Sequence, residues 1–439
     1  MPEPAHHLHA RTVALEYGPD ALQFDGHPTV LFDRPGLTLV GWGTAMLVEA
    51  RHAAGLLSSI PCEDHVARPG SGVVALGALP FLTAAAGHLV IPRFVMGIGR
   101  DGDGATHRWA TAVGADDTAL PETDELFESV LWQYGTGPGD HAPAADDERD
   151  SEVTALEPLM DARGYRTMVA GVVARLSAPH STLRKVVLSR AVEVRLARPL
   201  PLSHVLRRLR AHEPDCTVFS MPVPEGNFFG ATPELLIARR GAQVWCHPLA
   251  GTVARGDTAR SDAAAQGRLA GSPKERAEHR YVVDAVTSAL EPLCEELTVP
   301  KDPSLVAFRS VAHLGTRITG RLHADRVQPT VVEILELVHP TPAVGGAPRD
   351  EALATIAAAE SGRRGYWAGP VGWVDGQGDG EWMIGIRSAL VDPDGTRVTL
   401  RAGAGIVADS LPDAETAETD VKLATVLESL VPGGSVHLR

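Results

Sequence analysis

Several features that would indicate a secreted, membrane or zinc-binding protein are missing from this 439-residue sequence. It has four cysteines, widely spaced and with no Cys-x-x-Cys pair, which argues against a disulfide framework or a cysteine-ligated zinc site. No stretch approaches the roughly 18 apolar residues needed to cross a bilayer, and residues 1–20 contain no apolar segment typical of a signal peptide. These absences predict a soluble, cytoplasmic protein without a membrane partner.

Basic residues are also scarce relative to acidic ones. The chain has 40 Lys and Arg against 55 Asp and Glu, a formal net charge of −15. This balance disfavours nucleic acids and anionic membranes as partners, although a local basic pocket could still hold a small anionic substrate. No Gly-x-Gly-x-x-Gly or phosphate-binding P-loop follows a predicted strand, so the sequence does not indicate a nucleotide-binding sheet.

The order of predicted elements indicates an α+β fold rather than a Rossmann sheet. Short apolar runs separated by turn residues predict many strands, with helices inserted between them. We expect a large, mostly antiparallel β-sandwich of two sheets with flanking helices. One strand is predicted to begin at Lys185, and a helix is predicted from about residue 157 to residue 178. Residues 135–150, rich in Gly, Pro and Asp, are typical of an exposed loop or linker.

The first informative feature that is present is an acidic pair, Glu275 and Glu278, which a helix would place on one face. Apolar residues at positions 282, 286, 289 and 293 form a stripe that, extended backwards, runs over both glutamates. A carboxylate on a core-facing stripe must be protonated, paired or bound to metal. Ser272 and Glu275 also fit a capping box, which explains Glu275 about as well as function does but does not explain Glu278.

A second acidic pair, Glu415 and Glu418, lies on a predicted C-terminal helix. The apolar stripe of this helix, at positions 423, 427 and 430, is about a third of a turn away from Glu415, Glu418 and Lys422. Taken alone, such a face is typical of a solvated helix surface with a Glu–Lys pair. If the fold brings both pairs together, four carboxylates surround one point, which suits a hard divalent cation such as Mg²⁺.

Nine short segments carry a more specific signal. They are KVVLSR (185–190), GATPELL (230–236), PLAGT (248–252), KERAEH (274–279), HPTPA (339–343), YWAGPVG (366–372), IGIRS (384–388), RAGAGI (401–406) and residues 415–422. In this order they resemble the chorismate-utilising enzymes, the family of isochorismate synthase, salicylate synthase, anthranilate synthase component I and aminodeoxychorismate synthase. The resemblance implies a single domain, with residues 1–150 as a variable N-terminal portion and residues 151–439 as the chorismate-binding catalytic region.

The resemblance gives each acidic residue an expected role. The family's Mg²⁺ site uses glutamates at the positions matching Glu278 and Glu418, with those matching Glu275 and Glu415 nearby. Mg²⁺ keeps several waters and usually takes one or two carboxylates. We therefore expect Glu278 and Glu418 to be direct ligands, and Glu275 and Glu415 to act as supporting or water-mediated ones. The metal would hold the ring carboxylate of chorismate.

The resemblance also implies an acid–base pair. Conversion of chorismate to isochorismate adds water at C2 and expels hydroxide from C4, so it needs a base and an acid. Lys185 matches the family's water-activating lysine and Glu234 its general acid. Lys185 would need a lowered pKa and Glu234 a raised one. Without the family match, they would be interpreted as a strand-end lysine in water and a turn residue.

The remaining candidates match family positions at the substrate: Thr252, His313, Trp367, Arg387, Gly403, Ala404, Gly405 and Lys422. Arg387 can hold a carboxylate through two parallel hydrogen bonds, and the backbone amides of the glycine loop can add donors. Trp367 stands where the family often has a tyrosine, and its indole offers one N–H and no hydroxyl. Lys422 would lie between the metal and the substrate.

Four positions favour one reaction within the family. Anthranilate synthase, which uses ammonia, has glutamine where this chain has Lys185, so Lys185 indicates water as the nucleophile. Aminodeoxychorismate synthase has a nucleophilic lysine where this chain has Ala250. Salicylate synthases usually have threonine and tyrosine where this chain has Ala343 and Trp367.

We therefore expect a monomeric, Mg²⁺-dependent isochorismate synthase, an isomerase that acts on chorismate. Its product would serve menaquinone, siderophore or salicylate biosynthesis. The alternatives are a salicylate synthase and, from another class, a non-catalytic binding member of the fold. A metal-dependent hydrolase would need dense Asp or His ligands in strand-end loops, and the sequence lacks them.

Overall fold

The computed structural model describes residues 8–16, 28–82, 86–115, 151–309, 311–360 and 364–430, so the predicted linker at 135–150 lies outside the described residues. The strands are β1 (His9–Leu15), β2 (Val30–Arg34), β3 (Leu37–Trp42), β4 (Met46–Glu49), β5 (Cys62–Asp64), β6 (Val74–Ala78), β7 (His88–Ile91), β8 (Phe94–Arg100), β9 (Thr106–Gly114), β10 (Val153–Pro158), β11 (Lys185–Leu196), β12 (Thr217–Val223), β13 (Gly226–Thr232), β14 (Leu235–Arg240), β15 (Gln243–His247), β16 (Leu249–Ala254), β17 (Cys294–Thr298), β18 (Ser304–Ala307), β19 (Val311–Gly315), β20 (Ile318–Leu322), β21 (Gly346–Ala347), β22 (Pro370–Asp375), β23 (Gly380–Ile384), β24 (Ser388–Val391) and β25 (Arg397–Ile406). The helices are α1 (Ala50–Ser58), α2 (Ala162–Leu176), α3 (Leu202–His212), α4 (Ala259–Gly271), α5 (Pro273–Leu290), α6 (Val331–Val338), α7 (Arg349–Ala359) and α8 (Pro412–Leu430).

The strands form three sheets, and the expectation of two sheets is therefore corrected. A 13-stranded sheet has the order β10-β11-β25-β24-β13-β12-β2-β3-β8-β9-β1-β5, with β21 paired to β11. A nine-stranded sheet has the order β17-β20-β15-β14-β23-β22-β6-β7-β4, and a three-stranded sheet the order β16-β19-β18. Strands from residues 8–115 and from residues 151–430 share both large sheets.

The third sheet arises from a break in one pair of strands. β15 pairs with β20, and β16 pairs with β19. Because β16 follows β15 in the chain and β19 precedes β20, the two strand pairs could have formed one continuous hairpin. Pro248 separates β15 from β16 and has no backbone N–H to give to a ladder. Its carbonyl accepts instead from the Thr316 N–H at 3.3 Å. The ladder therefore divides at Pro248, and β16 and β19 turn away to form one wall of the cavity described below.

The predicted helix at 157–178 is wrong at its beginning. Residue Glu157 lies in β10, which pairs antiparallel with β11, and α2 begins only after Asp161. The Asp161 side chain accepts from the Gly164 N–H at 2.7 Å, which caps the helix. No helix within the described ranges is both long and apolar enough to cross a membrane.

The two helices that carry the acidic pairs bury apolar faces as their spacing predicts. On α8, Leu423, Leu427 and Leu430 are buried in the core. On α5, the buried positions include Val282 and Val286. These contacts fix the helices against the sheets, so that their N-terminal halves, which carry the glutamates, extend to the mouth of one cavity.

Candidate active site

A cavity of about 930 Å³, counted with its open mouth, collects nearly all the candidate residues. It lies between α5, α8, the three-stranded sheet and the strands β11 and β25. The candidates that line it are Glu234, Thr252, Glu275, Glu278, His313, Trp367, Arg387, Gly403, Gly405, Glu415, Glu418 and Lys422. Lys185 and Ala404 are buried directly behind the wall. Residues far apart in the sequence therefore meet at one place.

The four carboxylates of the acidic pairs come close enough to repel one another. Burial, together with the charges of Glu278 and Glu418, raises the pKa of Glu275 to about 7. Burial also raises the pKa of Glu415, again with Glu418 contributing. Carboxylates on two different helices thus act on each other, which happens only when their charges share a poorly solvated site.

Glu275 makes only one of the two hydrogen bonds of the capping box that the sequence predicted. The Ser272 side chain accepts from the Glu275 N–H at 3.3 Å, as in a capping box. The Glu275 carboxylate does not return this bond but lies beside Gly251 and the backbone of Thr252 in the three-stranded sheet. The carboxylate is therefore directed into the cavity rather than back to the start of α5.

The expectation of a solvated face on α8 is wrong for Glu415. Its side chain is 4% exposed, and Lys274 of α5 donates to its Oε1 at 3.3 Å. Glu418 and Lys422 are about a third exposed and form the expected pair, at 2.6 Å. Sequence reasoning missed Lys274, since its only signal was its place next to Glu275. The Lys274–Glu415 pair joins the two helices across the site.

Lys185, the first residue of β11, contacts the acidic cluster through Glu278. Its ammonium group lies 2.8 Å from Oε1 of Glu278, and its side chain is 1% exposed. Gly405, on the strand next to β11, makes room for this pair. A Cβ on Gly405 would lie 2.2 Å from Oε1 of Glu278 and 3.0 Å from Cε of Lys185. A side chain at position 405 would therefore displace Glu278 or Lys185 from this arrangement.

Glu234 has the environment of a carboxylic acid that keeps its proton. It follows β13, is 3% exposed, and burial raises its pKa to about 8. The Leu249 N–H donates to its Oε1 at 3.4 Å, and the positive charge of Lys185 only partly offsets the effect of burial. At neutral pH Glu234 is mostly protonated, as a general acid needs to be.

Arg387, His313 and Thr252 form one hydrogen-bonded group. Arg387 donates from Nη2 to Nε2 of His313 at 2.8 Å, so the imidazole proton is on Nδ1. Nδ1 lies 3.1 Å from both the Gly251 carbonyl and the Thr252 hydroxyl. Burial and the adjacent Arg387 hold the pKa of His313 well below its usual range. His313 is therefore a neutral support that fixes the guanidinium group.

Two buried N–H groups at this end of the cavity are unused. Nη1 of Arg387 and Nε1 of Trp367 have no hydrogen-bond partner within the part of the chain that the structure describes. Unsatisfied buried donors are costly, so both are suited to an acceptor brought by a ligand. Arg387 keeps this position with a φ of +50°, a strained value for a residue with a side chain.

Gly403, Ala404 and Gly405, which were expected to form a loop, instead lie within β25 and pair with β11. This part of β25 borders Trp367 at Gly403 and Glu278 at Gly405. Lys422 donates to the Gly403 carbonyl at 3.0 Å and to Oε1 of Glu418 at 2.6 Å. A Cβ on Gly403 would lie 2.9 Å from the Trp367 ring, so a side chain there would also displace a neighbour. Ala404 packs into the core, which leaves only its backbone available to a ligand. Arg401 also lines the cavity and was missed by sequence reasoning.

The donor set fits Mg²⁺ in type and charge. Among the described residues, no group of three or more His, Cys, Asp and Glu side chains is already arranged around a metal position. Yet four carboxylates converge here, and burial together with repulsion among them raises the pKa of Glu275 and Glu415. A divalent cation with oxygen preference would relieve that repulsion. Glu278 and Glu418 would hold it, each through an oxygen not engaged by lysine, with Glu275 and Glu415 in support.

Comparison with known proteins finds similar chains in one family. A family model described as chorismate binding enzyme matches residues 51–431. A Mycobacterium tuberculosis protein provisionally named isochorismate synthase MenF is 36% identical over 411 residues, which are 92% of this chain and 98% of that protein. The isochorismate synthase DhbC of Bacillus subtilis is 36% identical over 310 residues, 69% of this chain and 76% of that protein. The solved structure of Escherichia coli MenF, the menaquinone-specific isochorismate synthase, superposes with a TM-score of 0.79 at 24% identity and covers 96% of this chain and 94% of that one, which shows the fold.

Proposed function

This chain belongs to the chorismate binding enzyme family, and on that premise we propose that it is a Mg²⁺-dependent isochorismate synthase. It would convert chorismate reversibly to isochorismate by adding water at C2 and releasing the C4 hydroxyl group. The observation that carries the proposal is the buried Glu234, whose pKa burial raises to about 8, in one cavity with an unsatisfied Arg387 and with Lys185 behind its wall. The names of the relatives support the same reaction.

The chain's own residues would perform the binding and the proton transfers. Arg387 holds a carboxylate of chorismate through its free Nη1, while His313 keeps the guanidinium group in place. Lys185, in the neutral form it has after releasing a proton, would accept a proton from the attacking water, and Glu234 would donate one to the departing hydroxyl. One proton is taken and one is given, so the reaction is balanced. Mg²⁺ bound by Glu278 and Glu418 would neutralise the ring carboxylate.

The cavity also favours water over the other nucleophiles of the family. Ala250 lines it and has no group that could attack the ring, so a covalent intermediate at this position is excluded. Ala343 lines it too and adds no hydroxyl beside the ring. We further propose that the enzyme acts as a monomer in the cytoplasm, for menaquinone, siderophore or salicylate biosynthesis.

Product analysis tests the proposed reaction. Purified protein with Mg²⁺ and chorismate should yield isochorismate, and the same equilibrium mixture should form when isochorismate is supplied. Chromatography of the products, with a coupled pyruvate assay, gives the answer. Stoichiometric pyruvate with salicylate would instead identify a salicylate synthase. Absence of turnover at any Mg²⁺ concentration would instead indicate a non-catalytic binding member of the fold.

Removal of divalent cations tests the metal. We expect EDTA to lower the rate by at least about 100-fold, because the metal would supply several kcal/mol of charge stabilisation. Added Mg²⁺ should restore the rate, and circular dichroism should show that the protein stays folded throughout. A rate that withstands thorough chelation would show that the four glutamates serve another purpose.

Substitution of Gly405 tests the placement of Glu278. The methyl group of Gly405→Ala would overlap the Glu278 carboxylate. We expect about 10- to 100-fold weaker Mg²⁺ binding by calorimetry and a similar loss of rate.

Gly267→Ala is the matched control for this substitution. It lies on α4 with no heavy atom of the described structure within 4 Å of an added Cβ, and it should leave both quantities unchanged. A Gly405→Ala protein with normal Mg²⁺ affinity would contradict the assignment of Glu278.

A further inference from the structure

Arg190 is a buried cation that the proposed chemistry does not use. It lies on β11 and is 3% exposed. Its Nε donates to Oγ1 of Thr419 at 2.8 Å, and its Nη2 donates to the Thr416 carbonyl at 3.4 Å and pairs with Asp420. Its guanidinium group also lies 5.6 Å from the centre of the Tyr165 ring on α2. Three of these four partners belong to α8.

The three α8 partners of Arg190 alternate along the helix with the residues that line the cavity. At about 100° per residue, they are centred about 120° around the helix axis from Glu415, Glu418 and Lys422. A rotation of α8 that moved Glu418 would therefore break the contacts with Arg190. Because β11 also carries Lys185, one strand holds both the proposed base and the contact that orients the acidic helix.

Stability alone does not account for a charge at this position. A buried ion pair is often no better for stability than an apolar residue of similar size, because both charges must be removed from water. The ionic partner, Asp420, is 42% exposed, which weakens the pair further. What an apolar residue could not provide is a planar set of donors that reaches three acceptors at once.

We propose that Arg190 is a positioning residue that fixes the rotation of α8 and so places Glu418 and Lys422 in the cavity. The residue touches neither substrate nor metal and acts through the helix. This inference rests on the proposed function, since it assigns Glu418 to the Mg²⁺ site and Lys422 to the substrate.

Arg190→Met tests the proposal against a matched buried arginine. Arg239→Met is the control, because Arg239 is 8% exposed and paired with Asp379 but lies outside the cavity. Arg190→Met should bind Mg²⁺ about 10- to 100-fold more weakly by calorimetry. Its kcat/KM should fall by a similar factor, and excess Mg²⁺ should restore part of the rate. Arg239→Met should lose thermal stability while keeping wild-type Mg²⁺ affinity and kcat/KM.

Two milder variants keep the test decisive if Arg190→Met does not fold. Arg190→Lys retains the charge and the pair with Asp420 but loses the forked contact. Thr419→Val removes the acceptor of Nε and the hydrogen bond that the Thr419 hydroxyl donates to the Thr416 carbonyl at 2.7 Å. Both should bind Mg²⁺ more weakly than the wild type, by more than about twofold.

The results separate this inference from the proposed function. Mg²⁺ affinities within about twofold of wild type in all folded Arg190 and Thr419 variants would overturn the positioning role. Failure of the wild-type protein to convert chorismate would instead overturn the proposed function, and the calorimetric comparison would still decide the role of Arg190.

Discussion

Lys185→Met should lower kcat/KM for chorismate by about 10²- to 10⁴-fold, the usual contribution of a positioned base. Lys185 is 1% exposed and forms an ion pair with Glu278 at 2.8 Å, so no water or neighbouring amine can take its place without rearrangement. Methionine fills a similar volume but accepts no proton. Steady-state kinetics with saturating Mg²⁺ measure the effect.

Lys185→Arg separates the loss of the base from the loss of the ion pair. Arginine keeps a positive charge beside Glu278 but does not give up its proton in proteins. It should therefore retain Mg²⁺ binding while its rate stays as low as that of Lys185→Met. Lys301→Met is the control for the loss of a lysine side chain as such. Lys301 is exposed, and the variant should have wild-type kcat/KM and Mg²⁺ binding. A Lys185→Arg enzyme with substantial turnover would remove Lys185 as the base.

Glu234→Gln should cause a loss of about 10²- to 10⁴-fold in kcat, because an amide can hydrogen-bond like the protonated acid but has no proton to transfer. In the wild-type enzyme, burial raises the pKa of Glu234 to about 8, so the acid is protonated below that pH and ionised above it. The forward rate should accordingly decline as pH rises through about 8. The pH profile of kcat, compared between the two proteins, measures both effects.

The same substitution should change how stability depends on pH. The pKa of Glu234 is higher in the folded protein than the ordinary value of 4.5, so the folded state binds the proton more tightly than the unfolded state does. The free energy of unfolding should therefore fall as pH rises from the unfolded pKa through the folded one. The amide introduced by Glu234→Gln cannot ionise. In urea unfolding, the free energy of unfolding of the variant should therefore rise relative to that of the wild type between about pH 4.5 and about pH 8 and level off above that.

Glu213→Gln is the matched control for Glu234. Glu213 is equally buried, and burial raises its pKa as well, but it lies outside the cavity. Its substitution should affect the pH dependence of stability in the same direction without lowering kcat. If Glu213→Gln and Glu234→Gln lost activity equally, the role of general acid could not be assigned to Glu234.

Local spacing in the sequence was enough to find the two acidic helices and their buried sides. The stripe at Leu423, Leu427 and Leu430 is buried as predicted, because helical periodicity depends only on neighbours along the chain. The same reasoning failed at residue 157, which lies in a strand because the backbone of β10 pairs with that of β11. Pairing with a distant strand overrides local preference, and a single sequence does not reveal the partner.

By itself, the sequence determined which residue types the site contains: two acidic pairs at helical spacing, Lys185, Glu234 and the glycines at 403 and 405. These are properties of short segments, and the family resemblance rests on them. Only the tertiary structure decided their environments. It buried Glu415 against Lys274, 141 residues away, raised the pKa of Glu234, and set Arg190 against α8. Burial and charge–charge interactions depend on distances between residues that are remote in the chain, and only the folded molecule sets those distances.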